Sequence, residues 1–259
     1  MAYLHCELTS KALRAVTSLN LILPQDAYFS YQNPEADCSD LPVLYLLHGR
    51  SHNYSVWQRY SAIELLAEKY HVAVVMPEVG RSFYTDMEYG PDCLTYVTKE
   101  LPLLCQSLFH ISPDPRKRFI AGMSMGGYGC LKAAFSCPGS YEACAAFSAV
   151  TDIQAHANKE PEASPKKNEY RAIFGLDLKI KPKDDLFLLS SLAAPLAKKP
   201  RIFLACGTED PLCDQDMLLH GHLEQIGYSH EYRQWPGIHD WIFWNEAIAQ
   251  AFDWMFGGK

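Results

Sequence analysis

The segment Arg118–Ser136 reads RFIAGMSMGGYGCLKAAFS, and its centre decides the fold. An apolar strand, Phe119–Ala121, runs into the pattern G-x-S-x-G at Gly122–Gly126, and an apolar helix, Tyr128–Phe135, runs out of it. The bare pattern recurs by chance in about one chain in twelve, but this strand-to-helix setting is specific. Such an elbow strains the backbone of its central residue, and the flanking glycines remove the Cβ atoms that would collide there. We therefore predict that Ser124 stands exposed at the carboxyl edge of a sheet.

Two other interpretations of this glycine-rich segment are open. It could be a tight turn that packs a helix closely on a sheet, with no chemical role for Ser124. A phosphate-binding loop is disfavoured, because G-x-x-x-x-G-K-[ST] is absent and Gly127-x-Gly129 is followed by Cys-Leu-Lys instead of x-x-Gly. The strand before the motif and the helix after it favour an exposed serine over both alternatives.

An exposed serine needs an acid partner as well as a base. Its hydroxyl becomes a good nucleophile only when a histidine takes the proton and a third group orients that histidine. On strand-to-helix elbows of this type, the acid follows a later strand and the histidine comes last in the chain. Asp210 fits, since it follows the apolar run Arg201–Cys206 by a short turn. Glu209 and Asp214 are rivals, although Asp214 begins a predicted helix and is explained as its N-cap.

The predicted base is His239. It lies in the sequence WPGIHDW, between the last strand-like run and the last predicted helix, and of ten histidines it alone is both late and at such a junction. His220 and His222 look like a metal pair, but residues two apart on a helix point to different sides, and we expect both to be solvated. His48 ends an apolar strand and is expected to brace a loop by hydrogen bonds.

An acyl-transfer site also needs hydrogen-bond donors that face the oxyanion of the tetrahedral intermediate. The backbone amide of Met125, the residue after the predicted nucleophile, is one such donor. The second is expected in the loop after the strand end His48-Gly49, at the amide of Arg50. Together with Ser124, these positions predict a serine-dependent acyl-transfer site.

Short, almost continuously apolar runs recur on both sides of the motif. Such runs suit parallel strands that are buried on both faces, and they alternate here with segments of helical length. The runs are Pro42–His48, His71–Met76, Arg118–Ala121, Ala143–Phe147 and Arg201–Cys206. The helical segments are Ala62–Lys69, Asp92–Phe109, Gly127–Ser136, Asp214–Ile226 and Asp240–Phe256. We predict an α/β protein with the α/β-hydrolase fold, built on a mostly parallel, doubly wound sheet.

Two regions depart from this alternation. Near the N-terminus, Leu4–Thr9 and Val16–Leu23 are candidate strands, and Gln32–Asp40 is a polar stretch that predicts a loop. Residues 151–200 are rich in proline, contain two Lys pairs and show no clear strand, so we predict a cap insertion over one sheet edge. With 259 residues, the chain 1–259 is predicted to be a single domain.

Composition limits the classes of partner. Apolar residues make up 48% and charged residues 20%, a mixture that can bury a sizeable core. The formal charge of −7 argues against nucleic acid as a partner. The N-terminal sequence MAYLHCELTS lacks the pattern of an export signal, and no apolar run reaches 18 residues, so we expect a cytoplasmic protein without a membrane partner. Nine cysteines without a C-x-x-C pair fit a reducing compartment and roles in packing.

These motifs together resemble the esterase D-like group of α/β-hydrolases, and within it the small bacterial tributyrin esterases. The resemblance rests on Leu44–Gly49, Trp57, Tyr84–Gly90, Ala121–Gly129, Cys206–Asp210 and His239–Trp241, which span most of the chain. It implies a cofactor-free serine hydrolase of short-chain acyl esters. Some relatives remove acetyl or feruloyl groups from plant polysaccharides, and others cleave S-formylglutathione. Arg50 departs from the family pattern, where a small or apolar residue is frequent, and this departure concerns the acyl pocket more than the chemistry.

The resemblance also suggests which side chains meet the substrate, a small-molecule or oligosaccharide ester. Aromatic residues near the motifs could line an apolar cleft, although each could equally belong to the core. They are Trp57, Phe83, Tyr84, Tyr128 and Trp241. Two other functions remain open: an acyltransferase with the same triad and an alcohol acceptor, and a binding module that kept the fold without the reaction. No metal or other cofactor is predicted, and a homo-oligomer is possible.

Overall fold

The computed structural model describes residues 1–24 and 40–257. The predicted loop Gln32–Asp40 therefore lies outside the described residues, apart from Asp40, and so does Cys38. Within the described ranges, no helix is long and apolar enough to cross a membrane.

A single sheet runs through the described part of the chain. Its strands are β1 (Ala2–Ser10), β2 (Ala15–Leu23), β3 (Val43–Leu47), β4 (Ala73–Pro77), β5 (Arg118–Met123), β6 (Ala143–Phe147), β7 (Arg201–Gly207) and β8 (His230–Trp235). They lie in the order β1-β2-β4-β3-β5-β6-β7-β8. β2 pairs antiparallel with β1 and with β4, and every other pairing is parallel. This mostly parallel sheet confirms the predicted fold class.

Strand β8 differs from the predicted strands in composition. The five apolar runs of the sequence fall on β3 to β7, and the two N-terminal candidates fall on β1 and β2. β8 reads HEYRQW and is half-exposed along its length. Because, in the part of the chain that the structure describes, it is an edge strand paired with β7 alone, it does not need the apolar residues of a strand buried on both faces.

The core consists of two buried clusters, one on each face of the sheet. In β3, Val43, Tyr45 and Leu47 belong to one cluster, whereas Leu44 and Leu46 belong to the other. Successive side chains of a strand point to opposite faces, so a strand that is covered on both sides becomes apolar at every position. This explains the continuous apolar runs from which the sheet is predicted.

Helices cover both faces. They are α1 (Val56–Tyr60), α2 (Ile63–Tyr70), α3 (Cys93–Thr95), α4 (Leu101–Leu108), α5 (Met125–Ser136), α6 (Ile153–Asn158), α7 (Pro165–Phe174), α8 (Leu186–Ala193), α9 (Cys213–Gln225) and α10 (Trp241–Phe256). Helix α1 and the insertion helices α6 to α8 are absent from the sequence prediction. α1 is only five residues long, too short for an apolar periodicity to be visible.

The predicted helix Asp92–Phe109 is interrupted by a π-helical turn at Tyr96–Glu100. There the amide of Leu101 bonds the carbonyl of Tyr96, five residues back. Pro102 follows immediately and has no N–H to continue the α-helical ladder, and its ring would collide with the preceding turn. The wider π turn makes room for the ring, so the segment stays helical across the proline.

Residues 151–200 form an insertion between β6 and β7 that carries helices and no strand. Helix α8 packs against α5, the helix that follows Ser124, and α5 in turn covers the central strands β5 and β6. Helix α8 of the insertion therefore lies on the helical layer over the middle of the sheet, and the role of residues 151–200 as a cap stays a prediction. Its apolar side chains share a buried cluster with α5, which offers them a larger apolar surface than an edge strand would.

A buried ion pair fastens the insertion to α5. The ammonium group of Lys132 on α5 contacts the carboxylate of Asp184 in the insertion and donates to Thr85 Oγ1 at 2.8 Å. Both charged side chains are almost completely buried. The hydroxyl of Tyr128 donates to the Asp184 carbonyl at 2.7 Å. Removal of one partner would leave a buried charge without its counterion, so this contact holds the insertion in one position.

Candidate active site

Ser124 occupies a strained turn between β5 and α5. Its backbone has φ 57° and ψ −117°, a region that costs about 1–3 kcal/mol for a residue with a Cβ atom. The two glycines of the motif are required by close approach. A Cβ on Gly122 would lie 2.4 Å from the carbonyl oxygen of Gly126, and a Cβ on Gly126 would lie 2.5 Å from that of Leu47. The geometry explains the spacing of the motif and places the serine hydroxyl above the sheet.

Three side chains from distant parts of the chain form a hydrogen-bond chain. Ser124 Oγ lies 3.0 Å from His239 Nε2, and His239 Nδ1 lies 2.8 Å from Asp210 Oδ2. With Nδ1–H donating to the carboxylate, Nε2 is free to accept the serine proton. Ser124 and His239 are half-exposed, whereas the Asp210 side chain is buried. The structure therefore brings together the predicted nucleophile, base and acid at the carboxyl edge of the sheet.

Asp210 is held as a carboxylate by its hydrogen-bond donors. Its Oδ1 accepts the amide of Leu212 at 2.8 Å, and Oδ2 accepts the imidazole of His239. Burial by itself would raise the pKa of Asp210, but hydrogen bonding and charge attraction from His239 and the Leu212 amide lower it below the usual range. The ionised acid is therefore available to stabilise a charged imidazole.

The turn that carries the acid is paired to the turn that carries the histidine. The amides of Thr208 and Glu209 donate to the carbonyls of Trp235 and Gly237, each at 3.0 Å, and the Gly237 amide donates to Glu209 Oε2 at 2.6 Å. Glu209, one rival for the acid, thus braces the histidine turn. The other rival, Asp214, is exposed in the first turn of α9, whose N-cap is Leu212 and not Asp214 as predicted.

Ser148 and Trp244 also contact the three hydrogen-bonded side chains of the site, and neither was identified from the sequence. Ser148 is completely buried just after β6, and its hydroxyl hydrogen-bonds Asp210 and lowers the pKa of that carboxyl. Trp244 Nε1 donates to Ser148 Oγ at 3.2 Å, and the Trp244 ring meets the His239 ring edge-on at 4.9 Å. The position of Ser148 at a strand end is the one sequence signal that could have suggested it.

The two predicted oxyanion donors lie in different environments. Met125 is the first residue of α5, so its amide has no carbonyl partner within the helix. Arg50 lies in the turn after β3, and its guanidinium contacts Glu169 of the insertion and lies 5.6 Å from the centroid of the Tyr170 ring. This side chain therefore points toward the insertion, which leaves only its backbone amide as a candidate donor.

Comparison with known proteins agrees with this site. The model of the Esterase family, described as "Putative esterase", matches residues 10–255. The chain belongs to this esterase family. The predicted resemblance to α/β-hydrolase esterases is thereby confirmed, whereas the narrower resemblance to tributyrin esterases stays a prediction.

Individual relatives of this esterase cover almost its whole length. An acetyl esterase of Caldicellulosiruptor saccharolyticus is 34% identical over 262 residues, which cover 98% of each chain. FphF of Staphylococcus aureus, a fluorophosphonate-binding serine hydrolase solved with bound substrate, has a TM-score of 0.88 at 30% identity and 98% coverage of both chains. An S-formylglutathione hydrolase, FrmB of Staphylococcus aureus, has a TM-score of 0.85 at 30% identity, again with 98% of both chains covered.

Four of the five aromatic side chains suggested for substrate binding lie in the core of the esterase. They are Trp57, Phe83, Tyr84 and Tyr128, each no more than 1% exposed. The polar ends of three are satisfied inside: Trp57 donates to the Leu47 carbonyl at 2.9 Å, Tyr84 to that of His48 at 3.0 Å, and Tyr128 to that of Asp184. These four side chains lie in the core and have no exposed surface that could bind an ester. Trp241 alone of the five is half-exposed.

The other histidines of interest have structural partners. His48 is buried, and its Nε2 accepts the Val79 amide at 3.4 Å, so it braces the loop after β4. His220 and His222 point to different sides of α9, and both are half-exposed with a protein partner, so the expectation that they are solvated holds only in part. His220 hydrogen-bonds His230 at 2.7 Å, and His222 hydrogen-bonds the Phe187 carbonyl at 2.9 Å. Across residues 1–24 and 40–257, no group of three His, Cys, Asp or Glu side chains could hold a metal ion.

Asp216 is a buried carboxyl group close to the acid turn. Its Oδ2 accepts the Ala149 amide at 3.1 Å, and the Cys206 thiol is its second hydrogen-bond partner. Burial raises the pKa of Asp216 well above its usual range, and these two hydrogen bonds offset only part of the rise. The nearby charge of Asp210 raises it further. Asp216 is therefore protonated under conditions in which ordinary aspartates are ionised.

We expect Asp216→Asn to change the pH dependence of stability. The native state holds the Asp216 proton more tightly than the unfolded chain does, so its contribution to the free energy of unfolding is complete below about pH 3.9 and is lost as the pH rises. Asparagine has no such proton, so the Tm of the variant relative to wild type should increase between about pH 5 and pH 8. Thermal unfolding across this range measures the difference. Asp214→Asn, an exposed change on the same helix, is the control, and a pH-independent Tm difference for Asp216→Asn would contradict the prediction.

Proposed function

We propose that this protein is a serine carboxylesterase that hydrolyses short-chain acyl esters through Ser124, His239 and Asp210. The observation that carries the proposal is the continuous hydrogen-bond chain from Ser124 Oγ through the imidazole of His239 to the buried carboxylate of Asp210. Membership of the esterase family and the full-length similarity to an acetyl esterase support it.

In the acylation step, Ser124 Oγ attacks the ester carbonyl while its proton passes to His239 Nε2. Asp210 keeps the imidazole in the required tautomer and stabilises the positive charge that forms on it. The tetrahedral intermediate collapses when the carbon–oxygen bond to the alcohol breaks and His239 Nε2 returns the proton to the departing oxygen. The acyl group is then bound to Ser124 as an ester.

Backbone amides stabilise the negative charge of the intermediate. The Met125 amide lies next to Ser124 at the start of α5, where it has no carbonyl partner within the helix, and the Arg50 amide is the proposed second donor. The helix N-terminus adds a partial positive charge at the same place. In the second half of the reaction, water takes the position of the alcohol, loses a proton to His239 and attacks the acyl carbon. The bond from that carbon to Ser124 Oγ then breaks, His239 returns the proton to Ser124 Oγ, and the acid is released. Nucleophile, proton shuttle and oxyanion donors all come from the chain, so the proposed reaction uses no cofactor or metal.

The walls of the site favour a small acyl group. Arg50, in the turn after β3, pairs with Glu169 on the side that faces the insertion, and Arg81 donates to the same carboxylate at 2.8 Å. Tyr170, which underlies Arg50, is buried. A long acyl chain on this side would have to displace an ion pair, whereas an acetyl or butyryl group would not.

We expect kcat/KM to be highest for esters of acetate to butyrate and to fall for octanoate. Each methylene that fits contributes up to about 0.8 kcal/mol, so kcat/KM should rise until the chain meets the wall of the pocket and then drop. The p-nitrophenyl esters of acetate, butyrate and octanoate, tested beside methyl ferulate and S-formylglutathione, measure the preference. If kcat/KM still climbs at octanoate, or if methyl ferulate or S-formylglutathione exceeds all three, the short-acyl proposal is contradicted. Product analysis with added alcohol separates hydrolysis from acyl transfer.

A further inference from the structure

Apolar side chains are exposed beside the proposed base. Ile238 and Ile242, which flank His239 in the chain, are 54% and 75% exposed, and Tyr60 is 50% exposed. Trp241 is half-exposed between them. Large apolar side chains that stay in contact with water beside a reacting group often belong to a binding surface.

Three rings join into one surface that runs outward from the oxyanion turn. The His52 and Trp241 rings are 5.5 Å apart, and the Trp241 and Tyr60 rings are 5.3 Å apart. The inner end is fixed at the turn after β3, since a Cβ on Gly49 would lie 3.1 Å from His52 Nδ1. We call the surface formed by His52, Tyr60 and Trp241, with Ile238 and Ile242 at its border, the aromatic ledge.

Trp241, the central ring of the aromatic ledge, packs against two buried tryptophan rings. Trp241 meets Trp57 at 5.2 Å and Trp244 at 5.3 Å, both edge-on. Trp57 and Trp244 are buried and hydrogen-bonded, to the Leu47 carbonyl and to Ser148. A ring fixed in this way loses little conformational entropy when it contacts a ligand, which is a property of a preorganised binding surface.

The aromatic ledge is uncharged at its inner end, unlike the contact of Arg50 and Arg81 with the insertion. Burial lowers the pKa of His52, and the neighbouring His48 and His239 lower it further, so the ring is neutral near pH 7. Its Nδ1 is buried and has no hydrogen-bond partner among the described residues. Toward the insertion, by contrast, Arg50 and Arg81 converge on Glu169. The aromatic ledge therefore differs in polarity from this ion-paired contact.

The proposed reaction decides which part of an ester meets the aromatic ledge. When the carbon–oxygen bond breaks, the departing alcohol oxygen must lie within hydrogen-bond distance of His239 Nε2 to receive its proton. The alcohol moiety therefore extends past His239, where Ile238, Trp241 and Ile242 lie. We propose that the aromatic ledge binds an apolar alcohol moiety, aryl or branched alkyl, of the ester substrate. This inference rests on the proposed esterase function and adds the chemical class of the leaving group.

Two acetate esters with leaving alcohols of similar reactivity test the proposal. The ratio of kcat/KM for 2-naphthylmethyl acetate to that for methyl acetate reports contacts of the alcohol moiety alone, because the acyl group is the same. Trp241→Ala should lower this ratio about tenfold and Ile242→Ser about threefold, as expected for lost apolar contacts. Because Ile242 is largely exposed, its replacement leaves the fold intact even if Trp241→Ala does not fold. Leu103→Ser, an exposed change on α4, is the control and should leave the ratio unchanged.

Different outcomes separate this proposal from the proposed function. If wild type hydrolyses methyl acetate but Ile242→Ser and Trp241→Ala keep the ratio within twofold, the aromatic ledge does not bind the alcohol moiety. If wild type hydrolyses neither ester, the proposed esterase function is contradicted, and so is the proposed role of the aromatic ledge. An unchanged ratio together with a change of oligomeric state in Ile242→Ser, measured by sedimentation, would assign the surface to a contact between copies of this chain.

Discussion

Replacement of Ser124 by alanine is expected to lower kcat for p-nitrophenyl acetate by about 10³- to 10⁶-fold, the range observed when a triad nucleophile is removed. The hydroxyl is the only group of Ser124 that reaches His239 Nε2, and alanine cannot form the acyl intermediate. Rates measured under single-turnover and steady-state conditions, after correction for uncatalysed hydrolysis, test this expectation.

Stability is the control for this variant. Alanine keeps the Cβ atom, so the backbone strain at φ 57° is the same as in wild type. The Tm should therefore stay close to the wild-type value, whereas Ser124→Gly should raise it because glycine adopts positive φ without strain. A folded Ser124→Ala protein that keeps more than a tenth of the wild-type activity would exclude Ser124 as the nucleophile.

Replacement of His239 by alanine is expected to cost about as much activity as loss of Ser124. Without the imidazole, no group accepts the serine proton or returns it to the leaving oxygen. Because the two residues act as one unit, the double variant Ser124→Ala/His239→Ala should lose little more than either single variant. Steady-state kcat of the three variants, measured under identical conditions, provides the comparison.

His230 offers a matched control for the histidine. Its Nε2 is occupied by His220 at 2.7 Å and its Nδ1 by the Tyr228 carbonyl at 2.8 Å, on the edge strand β8. His230→Ala should therefore keep nearly full activity. Losses that multiply in the double variant, or a larger loss in His230→Ala than in His239→Ala, would show that another group is the base.

The convergence of the site could be predicted because it follows from topology. The carboxyl ends of parallel strands meet at one edge of a sheet, so residues in the turns that follow β5, β7 and β8 lie near one another. Ser124, Asp210 and His239 occupy these three positions. For the same reason Arg50, which follows β3 in the centre of the sheet, was expected near Ser124.

The sequence predicted Asp210 as the acid but left the neighbouring Glu209 open as a rival. Glu209 and Asp210 are consecutive in one tight turn, and only the folded turn shows that Asp210 points inward to His239 while Glu209 reaches the Gly237 amide. Ser148 carries no motif at all. Its role depends on Trp244, which is 96 residues away in the chain and contributes both a hydrogen bond and a ring contact.

The sequence by itself determined the fold class and the strained position of Ser124. The strained position follows from local sterics within Gly122–Gly126, and the fold class follows from the alternation of side chains along strands such as β3. Each of these can be recognised in consecutive residues of the sequence. Only the tertiary structure decided which aromatic rings face the solvent and where the insertion lies. Burial is set by residues far apart in the chain, and the same tyrosine or tryptophan can fill a core or line a cleft. Tyr84 and Tyr128 are buried beneath the site, where their hydroxyls donate hydrogen bonds to backbone carbonyls. Trp241, by contrast, is half-exposed and packs against Trp57.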